Sequence, residues 1–202
     1  AAFRRDQGLG EGPVLLFVSR LKPGNRLDML VESLARLRES FPGIRAVMIG
    51  KGEEHAAELQ AQAEKLGVAD RLHLPGPVYD EMQLAPWFLS ADLFCYPARI
   101  GLSILHAFGY GLPVVTSDHP TRQNSEIESL EDGVNGRRYA DGDVSALTEA
   151  MRSMLSDTAA LREMGAAALR TVQERFTLDR MVDGMVQAIG SARARARERA
   201  GR

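Results

Sequence analysis

The stretch Tyr96–Ser117, YPARIGLSILHAFGYGLPVVTS, constrains the fold more than any other part of this chain. Apolar Leu93, Phe94 and Tyr96 run into a turn at Pro97–Gly101. Leu102, Leu105, Ala107 and Phe108 then recur at helical spacing, the helix stops at Gly109–Gly111, and Pro113, Val114 and Val115 restart a strand. The order strand, glycine turn, helix, glycine turn, strand is a phosphate-binding architecture. The amides of Gly101, Leu102 and Ser103 are expected to point out of the helix start, where the helix dipole favours an anion.

The rest of the chain repeats this alternation. Short apolar strands are expected near Val14–Ser19, Arg45–Ile49, Leu72–Leu74, Asp92–Tyr96, Pro113–Thr116 and Gly136–Tyr139. Helices are expected near Leu27–Ser40, Glu53–Leu66, Met82–Leu89, Ser103–Gly109, Val144–Leu155, Leu161–Arg175 and from Leu178 to about Arg195. Continuous apolar strands between amphipathic helices belong to a parallel sheet covered on both faces. The expected fold is therefore α/β, a doubly wound, Rossmann-like parallel sheet that binds ligands at the carboxyl ends of its strands. A length of 202 residues with 45% hydrophobic content suits one core. Residues 1–12 read as an N-terminal segment or interdomain linker, 13–180 as the domain, and 181–202 as a C-terminal helix and basic tail.

Several function classes are excluded or weakened. A net charge of −2 argues against a general nucleic-acid binder. The single cysteine, Cys95, sits in an apolar run, as a small buried hydrophobe does, and no disulfide can form within the chain. There is no long apolar span or signal peptide, and there are no internal repeats. The arginines from Arg193 onward recur at every second position, which scatters them around a helix and predicts a solvated, frayed end. The four histidines, His55, His73, His106 and His119, show no metal-ligand spacing with acids or cysteine. The chain begins at Ala1 without a methionine, as a fragment would.

The order PxxxxGLxxLxAxxxGxPVV resembles the nucleotide-sugar-binding half of family 4 glycosyltransferases, retaining enzymes of the GT-B fold. The likeness is collinear from Val14 to Met181. FVSRLKPGNRLDMLVESLARL is similar to the first strand, arginine loop and first helix of that half, and AVMIGKGEE to its second strand and glycine turn. RLHLPGPV resembles its third strand and base-binding turn, which includes Gly76; SEIESLEDGVNGRRY and ERFTLDRM resemble its glutamate-bearing turn and last helix. Collinear agreement is more specific than any one glycine motif. The resemblance implies transfer of a sugar from a nucleotide diphosphate sugar to an acceptor hydroxyl, with retention and without a metal or other cofactor. It also implies that an N-terminal acceptor-binding domain lies outside this chain. The expected setting is cytoplasmic, at most at the inner face of a membrane, with any membrane contact made by other parts of the full-length protein.

Through the resemblance, Arg20 is expected to grip the diphosphate and ease departure of the leaving group, since a guanidinium forms two parallel bonds to such a group. Five residues on, where the family carries lysine, stand Asn25 and then Arg26. The family's two signature glutamates are matched by Ala98 and His106. Ala98 offers no side-chain hydrogen bond, whereas neutral histidine both donates and accepts, so His106 is either a ribose contact or a helix histidine facing other side chains. Arg99 and Arg122 are candidates to replace the cation missing at Asn25, and Glu126 matches the glutamate of the next turn. Gly50 and Gly52 read as tight-turn residues rather than direct contacts. Two other readings stay open. One is a catalytically silent nucleotide-binding or scaffold domain, favoured by Ala98 and Asn25; the other is a dinucleotide-dependent oxidoreductase, weakened because SRLKPG and not GxGxxG follows the first strand.

Overall fold

The computed structural model describes residues 2–119 and 123–200. Arg122, one of the candidate cations, lies outside the described residues. Six parallel strands, β1 (Val14–Val18), β2 (Arg45–Ile49), β3 (Leu72–Gly76), β4 (Leu93–Tyr96), β5 (Val114–Ser117) and β6 (Gly136–Tyr139), form one sheet in the order β3-β2-β1-β4-β5-β6. Strand order reverses at β1, which pairs with β2 from Val14↔Arg45 to Val18↔Ile49 and with β4 at Leu15↔Leu93 and Leu16↔Phe94. The doubly wound expectation holds.

The helices are α1 (Ala2–Asp6), α2 (Leu27–Leu37), α3 (Glu53–Lys65), α4 (Glu81–Leu89), α5 (Ser103–Gly109), α6 (Val144–Ser156), α7 (Thr158–Arg175) and α8 (Leu178–Ala200). Helix α2 packs between α3 and α6, and α5 packs on α7, so both faces of the sheet are covered. This cover explains the unbroken apolar strands: Leu15, Leu16, Phe17, Leu93, Phe94, Val114 and Val115 are fully buried. Helix α7 comes close to the turn that follows α5 because Gly165 has no side chain there. A Cβ on Gly165 would lie 2.3 Å from the Gly111 carbonyl oxygen. Asp143 and Asp157 cap α6 and α7 by accepting amides of the first turn.

The segment before β1, expected as a linker, is packed onto the domain. Leu9 is fully buried, Phe3 meets the Trp87 ring edge-on at 4.9 Å, and Arg4 donates to Asp92 at 2.7 Å and to the Ser90 carbonyl at 2.9 Å. Cys95 lies buried in β4 against Met151, and burial pushes its thiol pKa far up, as an inert core position requires. The chain stays helical through Ala200, and Leu178, Met181, Val182, Met185, Val186 and Ile189 of α8 are exposed. Among the described residues no helix is long and apolar enough to cross a membrane.

His73 of β3 lies beside β2, and burial together with the Arg45 charge holds its pKa below the ordinary value of 6.5. A depressed histidine binds its proton more readily in the unfolded chain. Unfolding free energy is therefore unaffected by this group well above pH 6.5 and falls as pH drops from there through the lowered native value. Chemical denaturation at pH 8 and at pH 5 is expected to show this loss, and His73→Gln is expected to reduce the difference between the two midpoints.

Candidate functional site

The switch in strand order opens a cleft of about 480 Å³ at the carboxyl ends of β1 and β4. Its walls come from the loop after β1 (Ser19, Arg20, Lys22, Gly24, Asn25, Arg26), the turn after β4 (Ala98, Arg99, Gly101) and the start of α5 (Ser103), with Asn124 and Asp141 opposite. A second, more apolar slot of about 200 Å³ adjoins it, lined by Val18, Ile49, Gly50, Pro77, Val78 and Tyr79. Ser19 and Arg20 face both cavities.

Two close backbone contacts set the loop that carries Arg20. The Ser19 amide donates to the Ile49 carbonyl at 3.1 Å and the Leu21 amide to the Lys51 carbonyl at 2.8 Å, so the loop extends the β1–β2 pairing. A Cβ on Gly50 would stand 1.8 Å from the Ser19 oxygen, and one on Gly52, whose φ is 144°, would stand 2.0 Å from the Leu21 oxygen. Any larger residue would push the loop away, which is the tight-turn role expected of these glycines. Beyond the loop a short 3₁₀ turn, Pro23–Asn25, ends in Arg26, the one non-glycine residue with positive φ among the described residues.

Asn25 explains why a lysine is not needed to keep this loop in shape. Its side chain is buried, donates to the Arg20 carbonyl at 2.6 Å and accepts from the Tyr96 hydroxyl at 3.3 Å. It thereby ties the arginine loop to the end of β4. The positive charge of the site stands on its neighbours instead. Arg20, Lys22, Arg26 and Arg99 all line the cleft, and among the described residues none of their side chains makes an ion pair or a hydrogen bond. Of the arginines elsewhere, Arg4 pairs with Asp92, Arg36 with Glu32, Arg152 with Glu149 and Arg175 with Glu131, whereas Arg137, Arg162 and Arg170 stand apart from one another without ion pairs among the described residues.

The turn between β4 and α5 is held from behind by two amides that the sequence did not single out. Gln123 accepts from the Ile100 amide at 3.0 Å and donates to the Ser117 carbonyl at 2.7 Å, and Asn124 donates to the Ile100 carbonyl at 2.9 Å. Gly101 is small enough to admit Asn124, because a Cβ there would lie 2.8 Å from its Nδ2. Ser103 donates to the Val18 carbonyl at 3.4 Å, fixing the start of α5 to the end of β1 beside the cleft. Leu102 is largely exposed and does not line it. Tyr96, Ser117, Asn124, His119 and Asp141 are lining residues that sequence reasoning missed. Tyr96 and Ser117 end β4 and β5, and the others lie in the loops after β5 and β6, which was their only signal.

The other expected residues are placed differently. Gly76 ends β3 with φ 83° and its carbonyl accepts from the Gly50 amide, so it shapes the slot without lining it. Glu126 lies in a 3₁₀ turn, Ser125–Ser129, and accepts from the Ser125 hydroxyl at 3.3 Å outside the cleft. Ala98 lines the cleft and its carbonyl accepts from Thr116 at 3.0 Å. His106 lines neither cavity. Its Nε2 meets Glu81 Oε1 at 3.0 Å, and its ring packs 4.4 Å from Phe88.

Comparison with known proteins agrees with this architecture. Anabaena HepE, solved with UDP, superposes with a TM-score of 0.81 at 24% identity, covering 94% of this chain and 52% of that one. Sucrose-phosphate synthase of Thermosynechococcus elongatus superposes with a TM-score of 0.80 at 22% identity, covering 95% and 48%. At these identities the likeness establishes the fold, that of one half of a GT-B glycosyltransferase. In sequence the chain is 32% identical over 177 residues to the GDP-mannose-dependent alpha-(1-6)-phosphatidylinositol monomannoside mannosyltransferase of Mycolicibacterium smegmatis, covering 83% of this chain and 45% of that enzyme. It is 32% identical over 203 residues to the D-inositol 3-phosphate glycosyltransferase of Geodermatophilus obscurus, covering 95% and 43%. The chain thus spans less than half the length of these relatives. Residues 12–157 match the family of group 1 glycosyl transferases, and the chain belongs to that family.

Proposed function

We propose that this chain is the donor-binding half of a retaining, family 4-like glycosyltransferase that transfers a sugar from a nucleotide diphosphate sugar to an acceptor hydroxyl. The observation that carries the reading is the cleft with four unpaired cations, Arg20, Lys22, Arg26 and Arg99, at the point where strand order reverses. A folded protein leaves that many guanidinium and ammonium groups without partners in one concavity when a polyanion completes them. The adjoining apolar slot accepts a base, and Arg20, which faces both cavities, meets the diphosphate between them. That the Anabaena neighbour was solved with UDP, and that the Mycolicibacterium relative is named for GDP-mannose, supports a nucleotide sugar as the ligand.

In this reading the leaving diphosphate gathers negative charge as the sugar departs. Arg20, the loop cations and the first-turn amides of α5 at Gly101, Leu102 and Ser103 stabilise that charge without rearranging. Arg26 and Lys22 supply what Asn25 does not. The acceptor is presented by a domain outside this chain, and the activity has its place in the cytoplasm, at the inner face of a membrane where the acceptor is a lipid. Because one wall of a two-walled cleft neither excludes water nor orients an acceptor, the 202-residue chain is expected to bind nucleoside diphosphates and to show no glycosyl transfer alone. A radiolabelled-sugar assay of the isolated chain checks this; robust transfer would overturn the half-site reading.

Two substitutions separate ligand grip from loop support. Arg20→Ala is expected to remove about 1.5–3 kcal/mol of nucleoside diphosphate binding, the range for a hydrogen bond to a charged group, with the unfolding midpoint unchanged. Asn25→Ala leaves the Arg20 carbonyl and the Tyr96 hydroxyl without this partner, and is expected to lower unfolding free energy by about 1–3 kcal/mol. Titration calorimetry and urea denaturation on both variants read the two effects. Unchanged affinity in Arg20→Ala would exclude the phosphate site.

A further inference from the structure

The turn before α4 and the start of α5 each carry a wall of a different cavity. Tyr79, which lines the slot, stands two residues before Glu81, the first residue of α4. Ser103, which lines the cleft, opens α5 one helical turn before His106. The two helices meet at one carboxylate. Glu81 Oε1 meets His106 Nε2 at 3.0 Å and also accepts from the Tyr110 hydroxyl, and these two bonds hold the Glu81 carboxyl below the usual carboxylate range. Phe88 of α4 closes the cluster from one side, with its ring centroid 4.4 Å from that of His106 and 4.9 Å from that of Tyr110.

The polar part of this cluster lies at the surface. Glu81 and His106 keep 58% and 36% of their side-chain surface exposed, while Phe88 is buried and stacks on Phe94 at 5.9 Å. A network of a carboxylate, an imidazole, a phenol and a stacked phenyl ring is nonetheless stiff, because each polar group fixes the orientation of the next. What it fixes is the start of α4, and with it the turn from Pro77 to Tyr79.

We propose that Glu81, His106 and Tyr110 form a positioning latch that sets the base slot at a fixed distance from the phosphate cleft, so that one nucleoside diphosphate fills both. This rests on the reading that the slot takes the base and the cleft the diphosphate. The three residues are positioning residues, and none touches the ligand. His106, expected from the family resemblance either as a ribose contact or as a helix histidine, serves here by holding Glu81.

The latch makes a prediction that a general loosening does not. Inorganic pyrophosphate needs only the cleft, whereas UDP or GDP needs cleft and slot together. In titrations of the 202-residue chain with pyrophosphate and with whichever of UDP and GDP binds more tightly, Glu81→Ala, His106→Ala and Tyr110→Phe should each weaken the nucleotide about 3- to 10-fold, the loss of one ordinary hydrogen bond. Pyrophosphate affinity should stay within twofold. The Glu81→Ala, His106→Ala double variant should be no weaker than either single, because the pair acts as one unit. The latch is overturned by equal losses for both ligands, by variants that match the wild type, or by a loss in His106→Ala with none in Glu81→Ala, which would mark His106 as a direct ribose contact. A wild-type chain that binds neither ligand defeats the donor-site reading itself, and so is told apart from failure of the latch.

Discussion

Everything that faces the cleft depends on β1 having parallel neighbours on both sides while the chain crosses over in opposite directions to reach them. The strand pairs with β2 along its whole length and with β4 at Leu15 and Leu16, so its carboxyl end is fixed from two directions. Loops leaving β1 and β4 must then diverge to opposite faces of the sheet, and a gap opens between them. Arg20 leaves from one lip, and Ala98, Arg99 and Gly101 from the other. Ser103, bonded to the Val18 carbonyl, and Tyr96, bonded to Asn25, span the gap at its base. Shifting β1 by one residue would turn its core face outward and displace both lips.

The electrostatic character of the gap follows from how few acids reach it. Arg4 and Arg175 meet carboxylates on other segments, and Arg36 and Arg152 meet carboxylates one turn away on their own helices. In the cleft Asp141 is the sole carboxylate lining four cations, and it makes no ion pair with any of them among the described residues. The concave wall concentrates their field. Mutual repulsion among these groups lowers stability slightly, and the proposed function supplies the anion that would offset it.

The fold was readable because its signals are local. Each strand is a short apolar run bounded by glycine, proline or polar residues, and each main helix carries a 3.6-residue apolar period, so the expected and observed elements coincide to within a few residues at most ends. Residues 2–12 escaped because five helical residues carry no periodic signal, and the burial of Leu9, the edge-on contact of Phe3 with Trp87 and the bonds of Arg4 show that they are packed on the domain. Arg20, Arg99, Gly101 and Ser103, which line the cleft, were singled out because they lie in the loops after β1 and β4 or at the start of the next helix. Gln123 and Asn124 were not: their work depends on a contact with Ile100 more than twenty residues away, which spacing cannot reveal. The same holds for Glu81, whose partners lie on another helix.

The departures from the family pattern share a physical logic. In the proposed function the groups that hold a diphosphate are largely backbone and loop geometry: the turn at Gly101, the first amides of α5, and a loop shape enforced by Gly50 and Gly52. Such groups tolerate change in the side chains around them, since no substitution at Asn25 or Ala98 removes an amide. In the same proposal, recognition of ribose and sugar hydroxyls rests on single side chains, and those are the positions where this chain departs from the family it resembles, with Ala98 lacking an acceptor and His106 turned to Glu81. The proposed function thus assigns phosphate binding and sugar selection to different kinds of structure, and the departures fall on the second.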